Sequence, residues 1–155
     1  MRQFFRTVGD ATQNLLDDSA LLFLRVTSGG LMLALHGWGK LQGVAAGLTG
    51  SDGGNGILQN FPDVIGIGSP LSAILATGAE FFGALALMLG IATRLSASAL
   101  AFTMLVAAFI AHANDPWSVK EKALLFLIAY VTIMLTGPGR FSIDHLFLQR
   151  FGHKG

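Results

Sequence analysis

Residues 21–41 read LLFLRVTSGGLMLALHGWGKL. The stretch is long and apolar enough to cross a bilayer, whose core takes about 20 helical residues. It nevertheless contains Arg25, His36 and Lys40. At about 100° per residue these side chains share one face of a helix, and Gly29 on that face leaves room for close packing. Since a charge facing hydrocarbon costs several kcal/mol, the stretch predicts a membrane helix whose ionisable face is covered by other helices.

The composition excludes several classes of protein. Of the 155 residues, 52% are hydrophobic and 12% are charged, against about 25% charged residues in soluble domains. A net charge of +1 without a Lys/Arg cluster argues against a nucleic-acid partner. The absence of cysteine excludes disulfides, thiolate catalysis and iron–sulfur clusters, so any redox chemistry needs a bound cofactor. The first apolar run ends at HGWGK, which argues against a removable signal peptide.

The apolar segments and the turn residues between them predict a single domain over residues 1–155. Its fold class is all-α: an integral membrane four-helix bundle running up-down-up-down, with short interfacial helices at the termini. The predicted spans are about 20–41, 70–91, 95–112 and 119–137, and residues 42–69 form a long, glycine-rich outer loop.

Local signals set the expected helix boundaries. Asp17, Asp18 and Ser19 are good helix-start residues and predict that the first span begins there, after an interfacial helix. Ser118 to Glu121 matches the capping box S-x-x-E and predicts the start of the fourth span.

The distribution of basic residues predicts the orientation of the bundle. Four spans place both termini on one side of the membrane, where the positive-inside rule counts Lys and Arg near the span ends. That side carries six basic residues: Arg2, Arg6, Arg94, Arg140, Arg150 and Lys154. The opposite side has Lys120 and Lys122 at the start of the fourth span, and Lys40 at the edge of the first span. The sequence therefore predicts a multi-pass membrane protein with both termini cytoplasmic.

The predicted spans bring five ionisable residues towards one cluster that opens to the outer face. At about 1.5 Å per residue, Glu80 in the second span lies between the levels of His36 and Arg25. Arg25 is therefore expected to pair with Glu80, since paired charges are how membrane bundles hold such residues. The candidates for ligand binding or proton handling are Arg25, His36, Lys40, Glu80 and His112. His36 and His112 could also ligate a haem or a metal, but nothing else in the sequence supports that use, and no metal site is predicted.

Six short motifs in order give the chain a resemblance to a known family. They are L-L-F-L-R-V with H-G-W-G-K-L, then A-E-F-F-G, G-I-A-T-R, V-x-x-F-x-A-H, K-E-K-A-L and G-P-G-R-F-S-I-D. Between Leu21 and Leu146 the chain resembles the DoxX family of small bacterial membrane proteins. The resemblance implies a compact four-span bundle in the bacterial inner membrane. Relatives have been associated with quinone-linked oxidation of sulfur compounds and with membrane complexes that handle oxidative stress, but the family has no agreed catalytic residues.

These observations favour a quinone-linked or redox-associated membrane component. His36 or Lys40 would hydrogen-bond a quinone carbonyl, and Glu80 would exchange protons with it. The alternative is a non-catalytic scaffold that binds a partner protein, with the polar cluster serving only to specify packing. A transporter is a third class, disfavoured by the lack of a visible internal repeat. The expected partners are membrane lipid, a quinone and a protein in a membrane complex; whether the protein is an enzyme stays open.

Overall fold

Helices form almost all of the part of the chain that the structure describes. The computed structural model describes residues 2–54 and 56–151, with side chains for 13–54 and 56–150. The helices are α1 (Arg2–Met32), α2 (Trp38–Thr49), α3 (Ile57–Asn60), α4 (Ser69–Thr77), α5 (Ala84–Leu89), α6 (Thr93–Val106), α7 (Trp117–Thr136) and α8 (Ile143–Phe151), and three π-helical segments are inserted between them: π1 (Leu33–Gly37), π2 (Gly78–Gly83) and π3 (Ala107–Ala111). No strand occurs within these ranges, and the predicted all-α class is confirmed.

Three continuous helical segments are long and apolar enough to cross a membrane. Among the described residues they are Gln13–Thr49, Ser69–Leu89 and Thr93–Ala111. The fourth long helix, α7, carries Lys120, Glu121 and Lys122 near its start and is apolar from Ala123 onward. Its first turns are therefore suited to the edge of a membrane and the remainder to its interior.

The core lies where α1, α5, α6 and α7 meet. Small residues of α5 and α6 are fully buried there, which lets the helix backbones approach closely. A side chain added at Gly29 of α1 would strike Met88 and the carbonyl of Ala84. The expectation that Gly29 allows close packing is therefore confirmed, and its neighbour is α5. The buried residues of this core are Met32, Ala84, Leu87, Ala97, Leu100, Ala101, Met104, Tyr130 and Ile133.

No helix begins at Asp17, Asp18 or Ser19, where the sequence predicted a helix start. Helix α1 runs without a break from Arg2 to Met32, so no separate interfacial helix precedes it. Asp18 accepts a hydrogen bond from the backbone N–H of Arg140 at 2.9 Å instead of capping a helix. Ser19 donates back to the carbonyl of Leu15, as serine does within a helix.

The connection predicted as a long loop is largely ordered. The continuous helical segment formed by α1, π1 and α2 extends eight residues beyond Leu41, to Thr49, and α3 follows within the connection. Val44, Leu58 and Ala73 form a small separate core that packs α2, α3 and α4 together. Glycines had suggested an irregular loop, but Gly47 lies against the side chain of Leu58 and so permits the two helices to approach.

Asp63 organises the remainder of this connection. Its carboxylate accepts hydrogen bonds from the backbone of Ile67 at 2.9 Å and Gly68 at 2.8 Å, and from the Ser72 hydroxyl at 3.0 Å. The hydrogen bond from Gly68 is the largest of the effects that lower the pKa of Asp63 below its usual range. The carboxylate thus fixes the chain where it enters α4.

Candidate functional site

The three π-helical segments surround one cavity. A π turn bonds residue i to i+5 and is rare, and it occurs frequently at functional sites. The segment π1 contains His36, π2 contains Glu80, and His112 directly follows π3. All three of these residues line the cavity. The local departures from α-helical geometry therefore coincide with the predicted polar cluster.

The cavity has the size and the mixed lining of a small-molecule site. Its volume is about 430 Å³, within the range of about 300–1,000 Å³ that ligand pockets occupy. Four of the five predicted candidates line it, and Arg25 does not. The lining residues are Met32, His36, Lys40, Glu80, Met104, Ala107, His112, Ser118, Val119, Lys122, Ala123 and Phe126.

An ion pair between Lys40 and Glu80 lies in the cavity wall. The two side chains form a direct salt bridge; Glu80 is almost fully buried, whereas the Lys40 side chain is 26% exposed. The second carboxylate oxygen of Glu80, Oε2, is buried and has no hydrogen-bond partner within the described ranges. A side chain at Gly37 would collide with the backbone carbonyl of Glu80. Gly37 therefore lets π1 lie directly against π2.

The predicted pairing of Arg25 with Glu80 is wrong. Arg25 is fully buried, and its Nη2 donates to the backbone carbonyl of Phe141. It lies eleven residues before His36, which corresponds to about 16 Å along a helix. Lys40 reaches Glu80 from the cavity side instead. The prediction placed the outer end of the first span at residue 41, but the helical segment continues to Thr49, which brings Gly37 and not Arg25 to the level of Glu80.

The two histidines have different surroundings. The His36 ring is exposed and meets the Phe126 ring edge-on, with ring centres 6.2 Å apart. The Nδ1 atom of His112 lies 2.6 Å from a carboxylate oxygen of Asp115, in an exposed contact. The described residues contain no group of three or more His, Asp or Glu side chains arranged to hold a metal ion.

Comparison with known proteins gives this architecture a family. The DoxX family model matches residues 20–113. The chain belongs to the DoxX family. The inner membrane protein YqjF of Escherichia coli K12 is 29% identical over 143 residues, covering 88% of this chain and 98% of the relative. An uncharacterised protein of Haemophilus influenzae Rd is 26% identical over 137 residues, covering 84% of this chain and 92% of the relative. No solved structure matches the chain.

Family membership and the helical segments show that this is a membrane protein, and the inner-membrane relative supports a location in the bacterial inner membrane. The matched region, residues 20–113, includes all five predicted candidates. It ends before α7, which supplies one whole wall of the cavity in this DoxX protein.

Sequence reasoning missed the cavity residues of α7. Ser118, Lys122 and Phe126 follow one another at four-residue spacing and line the cavity. The same cavity is lined by Met32, His36 and Lys40 of α1, π1 and α2, which also follow one another at four-residue spacing. The capping-box interpretation of Ser118 was wrong, because α7 begins at Trp117 and makes no side-chain cap hydrogen bond. The spacing of Ser118, Lys122 and Phe126 was the signal that could have identified this wall.

A second polar cluster lies at the opposite end of the helices. Asp144 of α8 accepts hydrogen bonds from the backbone N–H groups of Ala92 and Thr93, each at 2.8 Å, and from the Thr93 hydroxyl at 2.7 Å. Burial acts to raise the pKa of Asp144, but these hydrogen bonds and the charge of Arg25 hold it below its usual range. Gly90 leaves the space that the Arg25 guanidinium occupies. We call Arg25, Gly90, Thr93 and Asp144 the Arg25–Asp144 cluster.

Proposed function

We propose that this DoxX protein is a redox-associated membrane component that binds a quinone headgroup in the cavity. The observation that carries the proposal is the buried Oε2 of Glu80, which has no hydrogen-bond partner among the described residues and belongs to a residue lining a cavity of about 430 Å³. A buried carboxylate oxygen without a partner costs free energy. The reduced form of the ligand, a quinol, has O–H groups that would supply the missing donor and recover that free energy, whereas the carbonyl oxygens of the oxidised form only accept.

The lining residues fit the two parts of a quinone headgroup. Met32, Met104 and Phe126 provide apolar contacts for a flat ring. His36 and Lys122 provide nitrogen donors for ring carbonyl oxygens. The chain has no cysteine, and a bound quinone would supply the electron-carrying chemistry that its side chains lack.

The Lys40–Glu80 pair is suited to hold a proton near the bound ring. Glu80 is 3% exposed, whereas Lys40 extends from the same site towards the open side of the cavity. Lysine and glutamate side chains are among the groups that serve in general acid–base catalysis. In this proposal Glu80 exchanges protons with the ligand, and His36 and Lys122 orient it.

The proposed membrane arrangement makes α7 the fourth span of an up-down-up-down bundle with both termini in the cytoplasm. Short connections join α5 to α6 and α6 to α7, and such connections favour antiparallel neighbours. Arg94 and Arg140 then lie on the cytoplasmic side and Lys120 on the outer side, as the positive-inside rule favours. The cavity opens towards the outer face in this orientation.

The scaffold alternative draws support from a different surface. Ile65 and Ile67 on the connection before α4 are 44% and 39% exposed, and apolar side chains on an outer segment are suited to contact another protein. If this alternative holds, a protein partner co-purifies and the cavity binds no quinone.

Intrinsic fluorescence provides a direct test. The chain has two tryptophans: Trp38 lies between the lining residues His36 and Lys40 in the sequence, and Trp117 directly precedes the lining residue Ser118. Titrating the detergent-purified protein with decylubiquinone should quench this fluorescence saturably. Lys122→Gln should weaken binding by about tenfold, the cost of one hydrogen bond to a charged donor.

Glu121→Gln is the matched control, because Glu121 neighbours Lys122 on α7, is exposed and does not line the cavity. It should bind decylubiquinone as the wild type does. Absence of saturable quenching in the wild type, or equal effects of the two substitutions, would overturn the proposal.

A further inference from the structure

We propose that a groove between the α5–α6 turn and α8 binds the phosphate of an anionic phospholipid. The groove has a volume of about 570 Å³ and is lined by Ala92, Thr93, Arg94, Leu95, Pro138, Asp144, Phe147 and Leu148. Arg94 and His112 lie at opposite ends of the helical segment Thr93–Ala111, about 27 Å apart along the helix axis. The groove is therefore separate from the cavity, and the inference does not rest on quinone binding.

Arg94 supplies a positive charge that no acidic residue of the described ranges neutralises. The salt bridges in that part of the chain join Lys40 to Glu80, His112 to Asp115 and Arg140 to Asp18. Arg94 takes part in none of them, and its side chain is exposed. A guanidinium in a groove at the edge of a membrane is a ready partner for a phosphate, which it can bind through two N–H groups.

Asp144 lines the same groove but does not cancel the charge of Arg94. Its carboxylate oxygens already accept three hydrogen bonds, from Ala92 N–H, Thr93 N–H and the Thr93 hydroxyl. Its charge also interacts favourably with buried Arg25. The net electrostatic character of the groove is therefore set by Arg94.

The guanidinium of Arg94 lies against the backbone of Gly137. Gly137 has φ +91°, and a side chain there would come within 3.3 Å of Nε and Nη2 of Arg94. The glycine that ends α7 thus provides the surface against which the guanidinium lies. Such support reduces the conformational entropy that Arg94 loses when it binds an anion.

The walls of the groove indicate a lipid and not a soluble anion. Leu95, Phe147 and Leu148 are 72%, 60% and 66% exposed, an apolar surface that suits an acyl chain. A phospholipid satisfies both features, with its phosphate on Arg94 and an acyl chain along these side chains. Free phosphate would use Arg94 alone.

Native mass spectrometry of the detergent-purified protein tests the proposal. Phosphatidylglycerol and phosphatidylcholine with the same acyl chains are titrated in parallel. The wild type should retain more phosphatidylglycerol, by about fivefold, the effect of one basic side chain near a membrane surface. Arg94→Gln should abolish that preference. Arg140→Gln, which removes another exposed arginine from the same end of the molecule, should keep it.

Phosphate competition and the Leu148→Glu variant test the lipid assignment independently of Arg94→Gln. Excess inorganic phosphate should not displace phosphatidylglycerol; displacement would overturn the lipid assignment. Leu148→Glu places a carboxylate in the groove at an exposed position and should lower phosphatidylglycerol retention, which keeps the proposal testable if Arg94→Gln fails to fold. Equal retention of the two lipids by the wild type, or an unchanged preference in Arg94→Gln or Leu148→Glu, contradicts the proposal.

Discussion

At one end of the molecule Glu80 meets Lys40 beside an open cavity, whereas at the other end Arg25 and Asp144 are surrounded by backbone groups. In each case a glycine makes the room: Gly37 lets π1 lie on the backbone of Glu80, and Gly90 leaves space for the Arg25 guanidinium. The two ends differ in the hydrogen bonding of the carboxylate. Oε2 of Glu80 has no hydrogen-bond partner in the described part of the chain, whereas both carboxylate oxygens of Asp144 accept hydrogen bonds.

The Arg25–Asp144 cluster uses its hydrogen bonds to join elements that are distant in sequence. Arg25 of α1 reaches the carbonyl of Phe141, and Asp144 of α8 holds the start of α6. Arg25 retains two nitrogens without hydrogen-bond partners in the described part of the chain, but Asp144 supplies the compensating charge. Buried charge therefore serves packing at this end of the molecule, whereas at the other end the proposed function gives it a role in ligand binding.

The largest predicted effect is at the Arg25–Asp144 cluster. Asp144→Asn leaves Arg25 fully buried without a compensating charge, so the free energy of unfolding should fall by about 3–5 kcal/mol. Chemical unfolding in detergent measures it. The double variant Arg25→Met with Asp144→Asn should recover part of the loss, since neither charge remains.

Asp17→Asn is the matched control, because Asp17 is an exposed carboxylate of α1. It should change the free energy of unfolding by less than about 0.5 kcal/mol. A double variant as unstable as the sum of the single ones would show that Arg25 and Asp144 are not coupled.

Removing Lys40 from the Lys40–Glu80 pair should lower the free energy of unfolding more than removing the charge of Glu80. Lys40→Met leaves the Glu80 carboxylate buried and unpaired, and should cost about 3 kcal/mol. Glu80→Gln leaves Lys40, which is partly exposed and can stay solvated, so its cost should be about 1 kcal/mol. Thermal unfolding of the two variants side by side gives the comparison; equal losses would mean that Lys40 is as enclosed as Glu80.

Acid should weaken the Arg25–Asp144 cluster selectively. Burial raises the pKa of Asp144, but hydrogen bonds from Thr93 and Ala92 and the charge of Arg25 make it lower than usual in the folded protein. A carboxyl group of this kind stabilises the fold above its unfolded pKa of about 3.9, and the stabilisation disappears as the pH falls through the folded value.

The melting temperature of the wild type should therefore fall more steeply below about pH 4 than that of Asp144→Asn. The melting temperature of Asp63→Asn should also fall less steeply at acid pH than that of the wild type, because hydrogen bonds, that from Gly68 foremost, lower the pKa of Asp63. A wild type and an Asp144→Asn variant with parallel pH profiles would show that Asp144 does not contribute in this way.

Most of the helices could be predicted from the sequence because apolar run length is a local property. The segments expected at 70–91 and 95–112 correspond to helical segments at Ser69–Leu89 and Thr93–Ala111. Helix continuity at Asp18 could not be predicted, because its carboxylate is used by Arg140, 122 residues away. The same holds for the connection after Leu41, whose order depends on packing between α2, α3 and α4.

The site was predictable in composition but not in pairing. Ionisable residues in apolar spans identified His36, Lys40 and Glu80, since such residues turn towards protein or water. Which cation meets Glu80 depends on the level of each residue along the helices: the first helical segment extends to Thr49, so that Gly37 lies on the backbone of Glu80 and the Arg25 guanidinium lies beside Gly90. Arg25 was therefore assigned to the wrong end of the molecule, although its need for a partner was recognised.

The smallest expected effect on stability, and the sharpest on binding, is at His36. His36 is exposed, makes no hydrogen bond within the described ranges and touches Phe126 only edge-on at 6.2 Å between ring centres. His36→Ala should therefore change the free energy of unfolding by less than about 0.5 kcal/mol. It should weaken decylubiquinone binding, because the imidazole lines the cavity and donates to a ring carbonyl in the proposed complex. Leu35→Ala is the matched control.

Leu35 lies in the same π segment, is 69% exposed and does not line the cavity. Its substitution removes a side chain from π1 without removing a cavity donor, so it should leave binding unchanged. Thermal unfolding and decylubiquinone titration on the same samples separate the two roles of His36. If His36→Ala melts earlier but binds as the wild type does, the imidazole supports packing against Phe126. In that case the cavity end, like the Arg25–Asp144 cluster, uses its polar groups for structure.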